Sequence, residues 1–132
     1  MRDRTFIDEE HELRLRRFAD RVEILLRAAG LPVRREGDPW TDGAFVVKVD
    51  HFRASPGVYA GWYAAVAWHR QIHEYVVSGA SDHPEVVRYR QVDEAMDQAL
   101  VRIIEAFGLT TQYREYEDWA GIEILELEEE ES

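Results

Sequence analysis

Two long apolar stripes at helical spacing, with strand-like runs between and after them, constrain this chain more than any other feature. Leu13, Leu15, Phe18, Ala19, Val22, Leu25, Leu26 and Ala29 recur every three or four positions and predict an amphipathic helix over 8–29. Asp8, Glu9 and Glu10 stand where acids complement a helix dipole, and Gly30 and Pro32 supply the stop. Val86, Tyr89, Val92, Met96, Leu100, Ile103 and Phe107 mark a second helix over 84–107, with Pro84 in its first turn and Gly108 past its end.

The segments between read differently. Gly37 to Gly43 is turn chemistry, and Ala44 to Phe52 is β-rich with apolar residues on both faces, as in a central strand. Ser55-Pro56-Gly57 suits a hairpin turn onto a strand over 58–63. From Ala64 onward the spacing of Ala65, Trp68, Ile72 and Tyr75 predicts a helix over 65–77, although a strand running on to 68 competes with it. A further strand is expected over 121–127, with short extra ones near 32–36 and 111–116. The expectation is an α+β fold, in which a small, mainly antiparallel sheet carries helices 8–29 and 84–107 on one face. Residues 1–127 read as one domain, and 128–132 as a frayed acidic end.

The chain also echoes itself. Leu25-Leu26-Arg27-Ala28-Ala29-Gly30-Leu31 resembles Ile103-Ile104-Glu105-Ala106-Phe107-Gly108-Leu109. Each copy is followed by a tryptophan (Trp40 or Trp119), a glycine (Gly43 or Gly121) and a β-like run. A helix–loop–strand unit used twice would read this way, and so would two helices that merely end alike.

Charge is uneven along the chain. Of the 132 residues, 27 are acidic and 16 are Lys or Arg, and after Arg114 there are nine acids and no base. A net charge of −11 disfavours non-specific binding to DNA, RNA or anionic lipid and suits a basic protein partner. The arginines of the first helix and Arg88 and Arg90 are interleaved with acids, so they make mixed-charge faces, not a nucleic-acid patch. With no cysteine there is no disulfide and no thiol nucleophile. No apolar run is long enough to span a bilayer, and Met1-Arg2-Asp3-Arg4 leads into charge, not into a signal sequence, so a cytoplasmic protein is expected. Fifteen arginines to one lysine fit a GC-rich bacterial or phage genome.

No motif specifies a reaction. His69 and His73, four apart, would share a helix face and could ligate a metal, but His-Arg-Gln-Ile-His lacks the glutamate that supplies the base in metalloproteases. On a strand they would stand about 13 Å apart, too far for one ion. No metal or cofactor is therefore expected. Asp50 and His51 are neighbours on a strand and point to opposite faces, which leaves His51 to meet Tyr59 or another aromatic across the hairpin. No serine has a nucleophile-elbow frame, and no glycine run cradles a phosphate.

Aromatic residues are the more suggestive group. Tyr59, Trp62, Tyr63, Trp68 and Tyr75 crowd one segment and are expected to be mostly core. Tyr113, Tyr116 and Trp119 lie among the C-terminal acids. Aromatic rings and carboxylates together can grip an arginine-rich surface. The leading expectation is a non-enzymatic protein-binding module that docks Tyr113, Tyr116, Glu117, Asp118, Trp119, Glu123 and Glu126 on a basic partner. In charge and size it is similar to immunity proteins and phage-encoded inhibitors that occlude a nuclease or nucleic-acid-binding site. The competing expectation is a small-ligand or metal-dependent enzymatic pocket near Trp62, Trp68, His69 and His73. A third is self-association through the aromatic strand.

Overall fold

A computed structural model describes residues 5–116 and 119–126. Along the chain come α1 (Glu9–Ala28), β1 (Val33–Arg35), β2 (Ala44–Asp50), β3 (Gly57–Tyr63), α2 (Val66–Val77), α3 (Pro84–Ala106), β4 (Thr110–Glu115) and β5 (Ala120–Leu125). The strands form one sheet in the order β1-β2-β3-β5-β4, so the fold is α+β. Three of the four pairings are antiparallel, and β1 runs parallel to β2.

Local chemistry sets the helix ends. The Asp8 carboxylate accepts the His11 N–H at 2.8 Å and caps α1, and His83 Nδ1 accepts the Glu85 N–H at 3.0 Å at the start of α3. All three helices finish the same way. In α1 the Gly30 N–H donates to Arg27 O and Leu31 N–H to Leu26 O; in α3 Gly108 N–H donates to Glu105 O and Leu109 N–H to Ile104 O; α2 repeats this with Gly79 and Ala80. This double bond pattern requires a left-handed residue after the cap, which is why glycine stands there with φ of +84° and +93° in α1 and α3.

That shared ending is the substance of the internal echo. The strands after it pair differently: β1 lies parallel to β2 through Val33↔Phe45, whereas β4 and β5 are antiparallel through Thr110↔Leu125. A parallel neighbour normally needs a long crossover, but β1 has only three residues and spans about 10 Å, so the chain can return within a short loop. The Trp40 indole anchors that loop by donating to Ala64 O at 2.9 Å.

One face of the sheet carries both long helices. Phe45 and Val47 of β2, Val58 and Ala60 of β3, and Ile122 and Ile124 of β5 pack against Phe18, Ala19, Val22 and Leu26 of α1 and Leu100 and Ile104 of α3. Full burial of each large aliphatic side chain contributes about 1.5–3 kcal/mol. Ile72 is the single buried residue of helix α2, which explains why its sequence pattern is hard to distinguish from a strand. β2 stops at Asp50, two residues short of the expected end, because its carboxylate closes the turn by accepting Phe52 N–H at 3.0 Å and Ser55 Oγ–H at 2.7 Å. Phe52 forms an isolated bridge with Phe6 instead. β5 ends at Leu125; position 127 and the expected frayed stretch 128–132 lie outside the described residues. Among the described residues, no helix is long and apolar enough to cross a membrane.

Candidate binding cleft

The sheet opens beside its middle strand. β3 pairs with β5 only from Val58↔Ile124 to Ala60↔Ile122. Continuing that register would set Ala120 opposite Trp62, but the strands part there. The gap is closed from α3: Asp97 Oδ1 accepts the Trp62 backbone N–H at 2.9 Å. A helix side chain thus satisfies a strand donor that the neighbouring strand leaves unpaired.

Two cavities adjoin this point and share Asp97, Tyr113 and Ile122 in their walls. On the sheet face away from the long helices, a cavity of about 300 Å³ is lined by Val46, Lys48, Gly61, Tyr63, Trp119 and Gly121. Between α3 and β4, a groove of about 540 Å³ is lined by Asp93, Glu94, Asp97, Val101, Thr111 and Tyr113, with Arg90 at its margin. Burial pushes both Asp93 and Asp97 above the usual carboxylate range. For Asp97 the Trp62 N–H acts the other way, and the charge of Asp93 adds to the rise. Among the described residues no Lys or Arg forms an ion pair with either carboxylate. The cleft is therefore half-buried, acidic and uncompensated. The Trp62 indole Nε1, in the cavity wall, is buried and has no hydrogen-bond partner among the described residues.

The far wall is built by the segment after β4. The Trp119 ring lies 4.0 Å from Lys48 Nζ and 4.8 Å from the Tyr59 ring centroid. Gly121 permits this, because a Cβ there would come within 2.7 Å of the Trp119 ring. The Tyr59 hydroxyl donates to Ser55 O at 3.1 Å, so Tyr116 is the donor in their 2.6 Å contact. Burial, with the nearby charges of Glu123 and Asp50, pushes the Tyr59 hydroxyl far above its ordinary pKa.

Of the seven C-terminal residues expected to form one acidic edge, the five that the structure describes are dispersed. Tyr113 stands opposite Ile122 on the helix side of the sheet and is 66% exposed in the groove wall. Tyr116 and Trp119 lie on the other side with Tyr59. Glu123 is buried and accepts Arg114 Nε–H at 2.7 Å, and Glu126 pairs with Arg21 of α1 at 2.6 Å. Glu117 and Asp118 lie outside the described residues.

The histidine pocket is also divided. Trp62 and His69 line a small cavity of about 210 Å³ with Trp40, Tyr63, Ala64 and Tyr89. His69 Nδ1 bonds the Tyr89 hydroxyl at 2.9 Å, Trp68 packs edge-on against Tyr89, and His73 is exposed. Neither Trp68 nor His73 lines that cavity. No group of three metal-binding side chains occurs among the described residues. His51 meets Phe6, Phe52 and Glu12, not Tyr59, because Tyr59 pairs with Lys48 in the hairpin.

Asp93 and Asp97 did not stand out in the sequence. Their signal was present: Tyr89, Asp93, Asp97 and Val101 follow one another at intervals of four, which places two acids on a half-buried line of α3.

Comparison with known proteins finds no matching family model, curated protein or solved structure.

Proposed function

We propose that this chain is a non-catalytic binding module that takes a cationic group of a basic protein partner into the cleft at Asp97. The observation that carries this reading is the pair Asp93 and Asp97, half-buried, with no basic partner among the described residues. Low-dielectric surroundings strengthen their attraction for a cation, and the exposed Tyr113 ring adds a face for a guanidinium. A net charge of −11 would steer such a partner to the surface. Of the C-terminal residues, Tyr113 and Trp119 remain in the proposed contact, while Glu123 and Glu126 are already engaged by Arg114 and Arg21. Inhibition by occluding a basic surface, as immunity-type proteins do, is one form this function takes.

The test is titration of the protein with an arginine-rich peptide and a glutamate-rich control by calorimetry at low salt. The arginine peptide binds selectively, and the double variant Asp93→Asn/Asp97→Asn loses about 10–100-fold in affinity, the worth of a charge-assisted bond. Equal binding by the variant would sink the reading.

One observation favours a second reading. A carboxyl group whose pKa is raised by burial inside a cleft suits general acid catalysis on a small molecule. A thermal-shift screen in which small metabolites stabilise the protein and basic peptides do not would favour it.

A further inference from the structure

We infer that the outer edge of β4 docks an extended basic segment of a protein partner, which adds a sixth strand to the sheet and directs an arginine or lysine into the groove beside Asp93 and Asp97. The inference rests on the cation-binding reading of that groove.

The sheet order ends at β4, and no described strand pairs with its outer side. Which backbone groups face outward follows from one bond. Tyr116 N–H donates to Trp119 O at 2.7 Å, and this pair continues the register of Glu115↔Ala120. In an antiparallel ladder, bonded and non-bonded pairs alternate. Gln112 and Arg114 therefore bond β5, while Thr111, Tyr113 and Glu115 turn their N–H and C=O groups away from it. Six consecutive pairs run without a bulge or a proline, so β4 carries neither of these two edge-blocking devices.

The same residues that present free backbone also face the groove. The side chains of Thr111 and Tyr113 line it together with Asp93, Glu94 and Asp97. A strand laid against β4 sends every second side chain to that side. Charge selects the occupant. The groove carries three carboxylates against Arg90 alone, and the chain is strongly acidic. A second copy pairing about Tyr113 would set two acidic grooves side by side, whereas a basic strand neutralises the one present.

The probe is a capped octapeptide of alternating arginine and valine, with a glutamate–valine control and an arginine–valine version N-methylated along one edge. Amide exchange is read by NMR on the isotope-labelled protein. The arginine peptide should raise protection of the Thr111, Tyr113 and Glu115 amides by about tenfold or more, and N-methylation should cost about tenfold in affinity. The glutamate peptide should do neither. Tyr113→Pro, which deletes an outward N–H and no bond to β5, should also weaken binding, with circular dichroism checking its fold. If the arginine peptide perturbs the Asp93 and Asp97 resonances without protecting those amides, strand addition is wrong and cation binding stands. If neither the peptide nor free argininamide binds, both fall. Protection that rises with protein concentration alone would assign the edge to a second copy and overturn the proposal.

Discussion

Asp97 of α3 accepts the backbone N–H of Trp62 in β3 at 2.9 Å, standing in for a carbonyl that β5 does not supply. The bond needs an acceptor at this position but not a negative charge. Asp97→Asn, with its amide oxygen in place, should leave the fold intact at neutral pH. Asp97→Ala strands the Trp62 N–H and should cost about 1–2 kcal/mol. Urea denaturation of the two variants measures the difference, and equal destabilisation would show that the acceptor at position 97 does not hold the Trp62 N–H.

The acids of the cleft set a pH dependence. Asp93 and Asp97 are both raised by burial, so the folded chain holds these protons more tightly than the unfolded one. Stability should then fall as pH rises from about 4, the ordinary carboxylate value, through the raised folded values, and level off above them. In Asp93→Asn/Asp97→Asn this decline should shrink. Denaturation midpoints measured across that range check the sign.

Gly121 is a packing residue. Its alanine variant would place a methyl within 2.7 Å of the Trp119 ring. Displacement of that ring from Tyr59 and Lys48 should cost about 1–3 kcal/mol and shift tryptophan emission to the red. An unchanged spectrum and midpoint would show that Trp119 does not rest on β5.

Tyr59 ties Ser55 and Tyr116 together through one oxygen. Removing its hydroxyl in Tyr59→Phe breaks the bond to Ser55 O and leaves the Tyr116 hydroxyl without its acceptor. The expected loss is about 1–2 kcal/mol, and Tyr116→Phe in the same background should add little more, because the two hydroxyls act as a pair. A double-mutant cycle measures that coupling.

The acids nearest the C-terminus should matter least for binding a cation in the cleft. Glu126→Gln breaks a half-exposed pair with Arg21 and should change stability by less than about 1 kcal/mol. Its affinity for an arginine peptide should equal that of the parent, in contrast to the Asp93/Asp97 variant.

How much of this was legible in the sequence depends on distance along the chain. Both long helices were readable within a residue or two, because stripe, cap and terminal glycine are local signals. β2, β3 and β5 were readable as apolar alternation. The ambiguity over 65–77 arises because Ile72 is the only buried residue of α2. Tyr113 and Trp119 were identifiable as aromatics near charge, but their placement on opposite sides of the sheet follows from the register of β4 against β5. Glu123 looked like surface acid until that register brought Arg114 to it. The role of Asp97 depends on a strand more than thirty residues away and on the place where two other strands part. No local pattern encodes it.

The position of β5 has a consequence for synthesis. It is the last of the described strands in chain order, yet it lies between β3 and β4. On the ribosome, β4 can therefore have no neighbour, and β3 must keep one bare side, until Ile122 and Ile124 leave the exit tunnel. Helices α1 and α3 can form before then, but the surface they share is incomplete without those two isoleucines. Completion of the sheet thus waits for a single short segment that inserts between two strands already made.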